Sequence, residues 1–240
     1  MKNIVLAAGY ATRMYPLTEH FPKPLLEIQG VSLLDRLMAD IDTLPEINEH
    51  LIVTNHRFAS TFQAWKEKST YQKPIRILDD GSTNNENRCG AVGDLLFVLR
   101  TCKVEDDVMV LAADNLLDFP LRGFVDYFAE KDASVIMTHE ETSLAALQRT
   151  GVACVDNNGQ VILMQEKPER PLTTHAVPPF YIYHKRDLPL ILHSLEKGYG
   201  YDSPGNLAQY LTNLTVLYAW PMPGTRTDIG NLETYLRLKG

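Results

Sequence analysis

Apolar residues fall along this chain in short runs separated by longer stretches that repeat at helical spacing. Ile4-Val5-Leu6-Ala7-Ala8 reads as a first strand, His50-Leu51-Ile52-Val53-Thr54-Asn55 as a second and Ile75-Arg76-Ile77-Leu78 as a third. The unbroken apolar run over 108–113 has the character of a strand buried on both faces. Ser32 stands where it can cap a helix whose Leu33, Leu34, Leu37, Met38 and Ile41 share one face, stopped before Pro45. Further helices are expected over 58–68, 92–99 and 124–130, with another strand over 134–138. Such alternation predicts an α/β fold with a mostly parallel sheet covered by helices on both faces. From Gly151 the pattern shifts to two short strands, 152–155 and 161–164, joined by Asp156-Asn157-Asn158-Gly159, a hairpin signal that makes the second part mixed α/β.

Composition narrows the picture. The 240 residues suffice for one full α/β core, and no linker rich in Gly, Ser or Pro divides them, so one domain over 1–240 is expected. A formal charge of −7 argues against a broad nucleic-acid or anionic-membrane face, so any anion must meet a local pocket or a metal. No apolar run approaches the roughly 20 residues of a membrane span. Cys89, Cys102 and Cys154 lie far apart without CxxC spacing, and no leader pattern precedes Ile4, which together fit a reducing cytoplasm. The sequence leaves a homo-oligomer open.

Chemistry concentrates where strands end. The first strand runs into Gly9-Tyr10-Ala11-Thr12-Arg13 and then Phe21-Pro22-Lys23-Pro24, so small residues would let backbone amides approach a phosphate while Arg13 and Lys23 add charge. A solvated surface loop with two ordinary charges is the plain alternative. The 108–113 strand delivers Asp114-Asn115 to the same edge, and a carboxylate there suits Mg²⁺ or a local turn equally. Downstream stand Gln165-Glu166-Lys167-Pro168 and Arg226-Thr227-Asp228-Ile229-Gly230, where Asp228 could simply cap the helix after it. Adjacent residues on an extended strand face opposite ways, so Glu166 and Lys167 could act together only through a bend at Pro168. Gly90-Ala91-Val92-Gly93-Asp94-Leu95 opens a helix whose N-terminus could receive a base carbonyl or a phosphate. Zinc-protease spacing, a P-loop and a nucleophile elbow are all missing from the sequence.

LAAGYATRMYPLT with FPKPLL resembles the signature of the sugar-phosphate nucleotidylyltransferases, glucose-1-phosphate thymidylyltransferase among them. AADN, QEKP and TDIGN follow in that family's order, so the resemblance covers essentially the whole chain in its short, catalytic-core form. It implies a Rossmann-like three-layer sandwich that joins an NTP to a sugar 1-phosphate with Mg²⁺ as cofactor. By resemblance Arg13, Lys23 and Lys167 are the catalytic cations, and Asp114 and Asp228 hold the metal. By the same resemblance 1–118 would be mainly the nucleotide-binding half, with Leu6, Ala7, Ala8, Gly9, Asn85 and Gly90 contacting the nucleotide, and 119–240 mainly the sugar-phosphate-binding half. Gly151, Glu166, Lys167, Tyr181 and Asn206 would contact the sugar phosphate, with Tyr181 equally readable as core. Two departures stand out: Ala11 replaces the usual second glycine of the first loop, and Arg226 an aromatic. The loop over 83–88 also lacks the thymidylyltransferases' glutamine, which leaves the base open. Relatives with a similar first loop use phosphocholine or aminoalkylphosphonates, so a cytidylyltransferase of such an acceptor is a second reading, which a cage of aromatics would mark. A non-catalytic nucleotide-sugar-binding subunit is a third.

Overall fold

The computed structural model describes residues 1–239. Along the chain run β1 (Lys2–Leu6), β2 (Glu27–Ile28), β3 (Val31–Ser32), α1 (Leu33–Ile41), β4 (Glu49–Thr54), α2 (Ala59–Lys68), β5 (Ile75–Asp79), α3 (Gly90–Thr101), β6 (Val108–Ala112) and β7 (Asn115–Leu117). Then come α4 (Arg122–Lys131), β8 (Ser134–Glu140), α5 (Leu144–Leu147), β9 (Gly151–Val155), β10 (Val161–Glu166), β11 (His175–Val177) and β12 (Phe180–Tyr183). The last elements are α6 (Leu188–His193), α7 (Pro204–Thr212), β13 (Leu217–Pro221), β14 (Arg226–Asp228) and α8 (Leu232–Lys239).

A ten-stranded sheet in the order β10-β9-β11-β8-β12-β6-β1-β4-β5, with β13 beside β8, crosses the whole molecule. β1, β4, β5, β6, β8, β9 and β13 point one way and β10, β11 and β12 the other, so the sheet is mostly parallel with an antiparallel strand, β12, wedged between β6 and β8. Both faces are covered, which is why β6 and β12 carry apolar or aromatic residues at every position. On β1, Ile4 faces one core and Val5 the other; on β6, Val108 and Val110 share the first while Met109 and Leu111 join the second. α3, α6 and α7 cover one face, and α1, α2 and α4 the other, giving the expected three layers.

Local signals act as the sequence implies. Ser32 Oγ accepts the Asp35 amide at 2.9 Å and caps α1, whose Leu33, Leu34, Leu37, Met38 and Ile41 are buried. The β9–β10 turn is held by Asp156, whose carbonyl accepts the Gly159 amide while Gly159 takes φ 82°. α8 is capped not by Asp228 but by Asn231, whose Oδ1 accepts the Thr234 amide at 2.8 Å.

One topological step positions everything else. The chain goes from β1 outward to β4 and β5, and then α3 carries it back across to β6 on the other side of β1. The connections leaving β1 and β6 therefore diverge and open a crevice at the carboxyl edge, the usual ligand site of open α/β sheets. Ile4 lies at the centre of this arrangement with no solvent exposure. Ile4→Ala is expected to lower unfolding free energy by about 2–5 kcal/mol, seen as a lower urea midpoint at unchanged slope.

Candidate active site

The crevice is a cleft of about 660 Å³. Leu6, Ala8, Gly9, Asn85 and Gly90 line it, with Asp114 and Asp228, while Ala7 lines a small adjoining recess that also holds Lys23. The Gly9, Tyr10 and Ala11 amides have no partner among the described residues, leaving the loop after β1 with N–H groups to offer an anion. Its shape is fixed from behind: Ala11 O accepts the Met14 amide at 2.9 Å and the Thr18 hydroxyl at 2.8 Å. Ala11 adopts φ 47°, ψ 40°. The alanine thus keeps the left-handed conformation natural to glycine, at a cost of about 1–2 kcal/mol.

Arg13, Lys23, Asp114 and Asp228 meet at one end of the cleft. The ribbon β7–β14 makes this happen: Asp228 is the register partner of Asn115, and the Ile229 amide donates to Asp114 O at 3.0 Å, so two distant carboxylates emerge side by side. Lys23, only 9% exposed, donates to Asp114 Oδ2 at 2.8 Å, and Asn115 Nδ2 holds the other oxygen at 2.7 Å. Asp228 has no hydrogen-bond partner among the described residues; the surrounding protein strips water from it and Asp114 repels it, so its carboxyl is pushed up despite Lys23, Arg226 and Arg13. Two adjacent carboxylates, one of them unpartnered, form an all-oxygen donor set that fits a hard divalent cation.

Other expected residues lie elsewhere. Tyr181 is 2% exposed and stacks on Tyr183 at 5.7 Å within the core, so it does not line the cleft. Asn206 donates to Gly200 O at 3.2 Å and serves the loop before α7. Gly151 leaves room for protein rather than ligand, since a Cβ there would stand 2.7 Å from Met164 Cε and 3.2 Å from Glu166 Oε2. Glu166 and Lys167 do act on one spot, but the bend is in Lys167 itself, at φ 48°, not at Pro168. Glu166 is pushed up by burial, against Lys167 and a hydrogen bond with Ser203. Lys167 Nζ is 2.5 Å from Ser203 Oγ, immediately behind the cleft-lining Pro204. The α3 N-terminus is not an anion site either: Ala91 and Val92 donate to Asp202 O and Tyr201 O at 3.4 and 2.9 Å. Gly90 is needed for that docking, because at φ 75° a Cβ would stand 2.6 Å from Tyr201 O.

Sequence reasoning passed over Asp94, His139, Arg149 and Thr150, all of which line the cleft. Asp94 could have been noticed as a lone charge among the apolar residues of α3. It is 5% exposed and pushed up to about 8, by burial first and then by the charge and hydrogen bond of Asp80. Asp94 Oδ1 and Asp80 Oδ2 are buried without other partners, as expected of two carboxyls sharing a proton. Cys89 lies within 4.8 Å of both.

The chain belongs to the nucleotidyl transferase family, whose model matches residues 2–239. It is 28% identical over 251 residues to a UTP–glucose-1-phosphate uridylyltransferase of Synechocystis sp., covering 98% of this chain and 61% of that protein. A glucose-1-phosphate adenylyltransferase of Fervidobacterium nodosum is 24% identical over 254 residues, covering 98% and 60%. The chain thus spans about three fifths of the length of these relatives. A crystal structure of UDP-glucose pyrophosphorylase with UDP-glucose shares the fold at a TM-score of 0.81 and 20% identity, over 99% of this chain and 96% of that one. Among the described residues no helix is long and apolar enough to cross a membrane.

Because Asp94 binds its proton more tightly folded than unfolded, stability is full below the ordinary carboxyl range and is lost as pH rises toward about 8. Urea midpoints should fall from roughly pH 5 to pH 8.5, and Asp94→Asn should flatten that slope. Equal slopes in the two proteins would remove the shared proton.

Proposed function

We propose that the chain transfers a nucleotidyl group from an NTP to a sugar 1-phosphate, releasing pyrophosphate. The observation that carries this reading is the meeting of Asp114 and Asp228 beside Lys23 and Arg13, at the end of a loop with unpartnered amides. An acceptor phosphate oxygen attacks the α-phosphorus; that P–O bond forms as the bond to the β-phosphate's bridging oxygen breaks, and pyrophosphate departs. The attacking phosphate is already ionised, so no protein nucleophile is needed, and the protein's work is positioning and charge neutralisation.

The amides of Gly9 to Ala11 and the Arg13 guanidinium receive the β- and γ-phosphates. Lys23, held by Asp114, faces the α-phosphate. Lys167 reaches the attacking phosphate by leaving Ser203, a rotation its half-exposed stem permits. Asp114 and Asp228 would hold Mg²⁺, which supplies neutralisation of phosphate charge when bound. The base occupies the end of the cleft near Asn85, Gly90 and Asp94. Tyr10 is the only aromatic lining the cleft among the described residues, which disfavours a quaternary-amine acceptor.

The test is pyrophosphate release across the common NTPs and a panel of sugar phosphates, with and without Mg²⁺. Release is expected for one family of pairs and only with the metal; ligand-induced thermal stabilisation without release would favour the non-catalytic reading. In the active pair Arg13→Ala should lower turnover by about 10²–10³, as loss of one preorganised charge-stabilising donor does. Unchanged turnover would remove that role.

A further inference from the structure

Beside the aspartates, the cleft is bounded by β8, the segment before β9 and the start of β14, which bring His139, Arg149 and Arg226 to the same lining. All three present hydrogen-bonding capacity that the protein does not use. The Arg149 guanidinium is exposed and has no hydrogen-bond or ion-pair partner among the described residues. Arg226 is anchored through NH1 on Asn115 Oδ1, yet its buried Nε bonds to nothing. His139 Nδ1 is likewise buried without a partner. Buried polar atoms in folded proteins are nearly always satisfied, so unpartnered ones on two cleft-lining side chains leave donor capacity that a ligand could draw on. Of the opposing charges in the lining, Glu141 already accepts the Ser143 amide at 2.7 Å, and Asp228 stands two residues from Arg226.

We propose that this end of the cleft binds a second anionic group on the acceptor, a carboxylate or phosphate in addition to the phosphate that is nucleotidylated. Arg226 and Arg149 hold its oxygens through their planar forks and His139 completes the contact. The inference rests on the nucleotidyl-transfer reading for the acceptor's first phosphate. A neutral hexose would leave the Arg149 guanidinium without counter-charge, while Arg226 would have only Asp228, two residues away, in a protein that is otherwise acidic. Arg226 stands where the resemblance places an aromatic, so this preference would separate the chain from relatives that bind a neutral ring.

Three acceptors distinguish the sources of the anion: a hexose 1-phosphate, a hexuronic acid 1-phosphate and a hexose 1,6-bisphosphate. Each is assayed for pyrophosphate release, and separately for binding by calorimetry without NTP or metal. One of the two doubly anionic acceptors is expected to bind and react at least tenfold better than the neutral hexose compound. Arg149→Gln and Arg226→Gln should each reduce that preference by about tenfold, the scale of one charge-assisted hydrogen bond. Equal binding of all three acceptors, or a loss in the variants that is the same for every acceptor, would overturn the proposal. Selective binding without pyrophosphate release would uphold the second-anion site and refute the transfer reading instead.

Discussion

The whole arrangement depends on the reversal of strand order at β1. Because the chain builds outward through β4 and β5 and then returns to place β6 on the opposite flank, the two central strands send their following segments in opposite directions. No connection can seal the gap between them, and the Gly9, Tyr10 and Ala11 amides at that edge find no partner among the described residues. The helices that make both faces of the sheet apolar also exclude water from beneath the gap, so charges at its rim act in a poorly screened setting. A crevice with exposed amides above and a dry floor below is thus a consequence of topology before any functional side chain is considered.

Electrostatics then divides the crevice into regions. An acidic protein has gathered its cations where phosphate oxygens would lie, with Lys23 buried and tethered by a carboxylate so that it can neither wander nor stay hydrated. Asp114 and Asp228 are the counterweight: their mutual repulsion is tolerated because the backbone bond between Ile229 and Asp114 fixes both positions. At the opposite end Asp80 and Asp94 solve the same conflict differently, by retaining a proton. The two pairs of carboxyls therefore serve different ends, one suited to a cation and the other, cleft-lining Asp94 with its neighbour Asp80, to holding a proton.

Much of this could be read from residues, and the gaps have physical causes. The Ser32 cap, the face of α1, the Asp156-Asn157-Asn158-Gly159 hairpin and the loop with Arg13 and Lys23 are local, and local chemistry is legible. The direction of β12 was not, because Phe180-Tyr181-Ile182-Tyr183 is apolar on both sides and carries no sign of orientation. That strand's burial also removes Tyr181 from the cleft. The left-handed Ala11 and Lys167 escaped because surrounding contacts, not propensity, impose those conformations. Asp202 and Tyr201 taking the amides of α3 is a contact across a hundred residues, which no spacing rule reports.

The pairing of β7 with β14 has a further meaning for how the molecule comes into being. During synthesis the large sheet can assemble almost completely while Asp228 is still inside the ribosome, leaving the Asp114 carboxylate with only Lys23 and Asn115 as partners. The nascent chain up to that point is accordingly a folded body with an unfinished centre, and the β7–β14 ribbon acts as a clasp that completes it only once residue 228 has emerged.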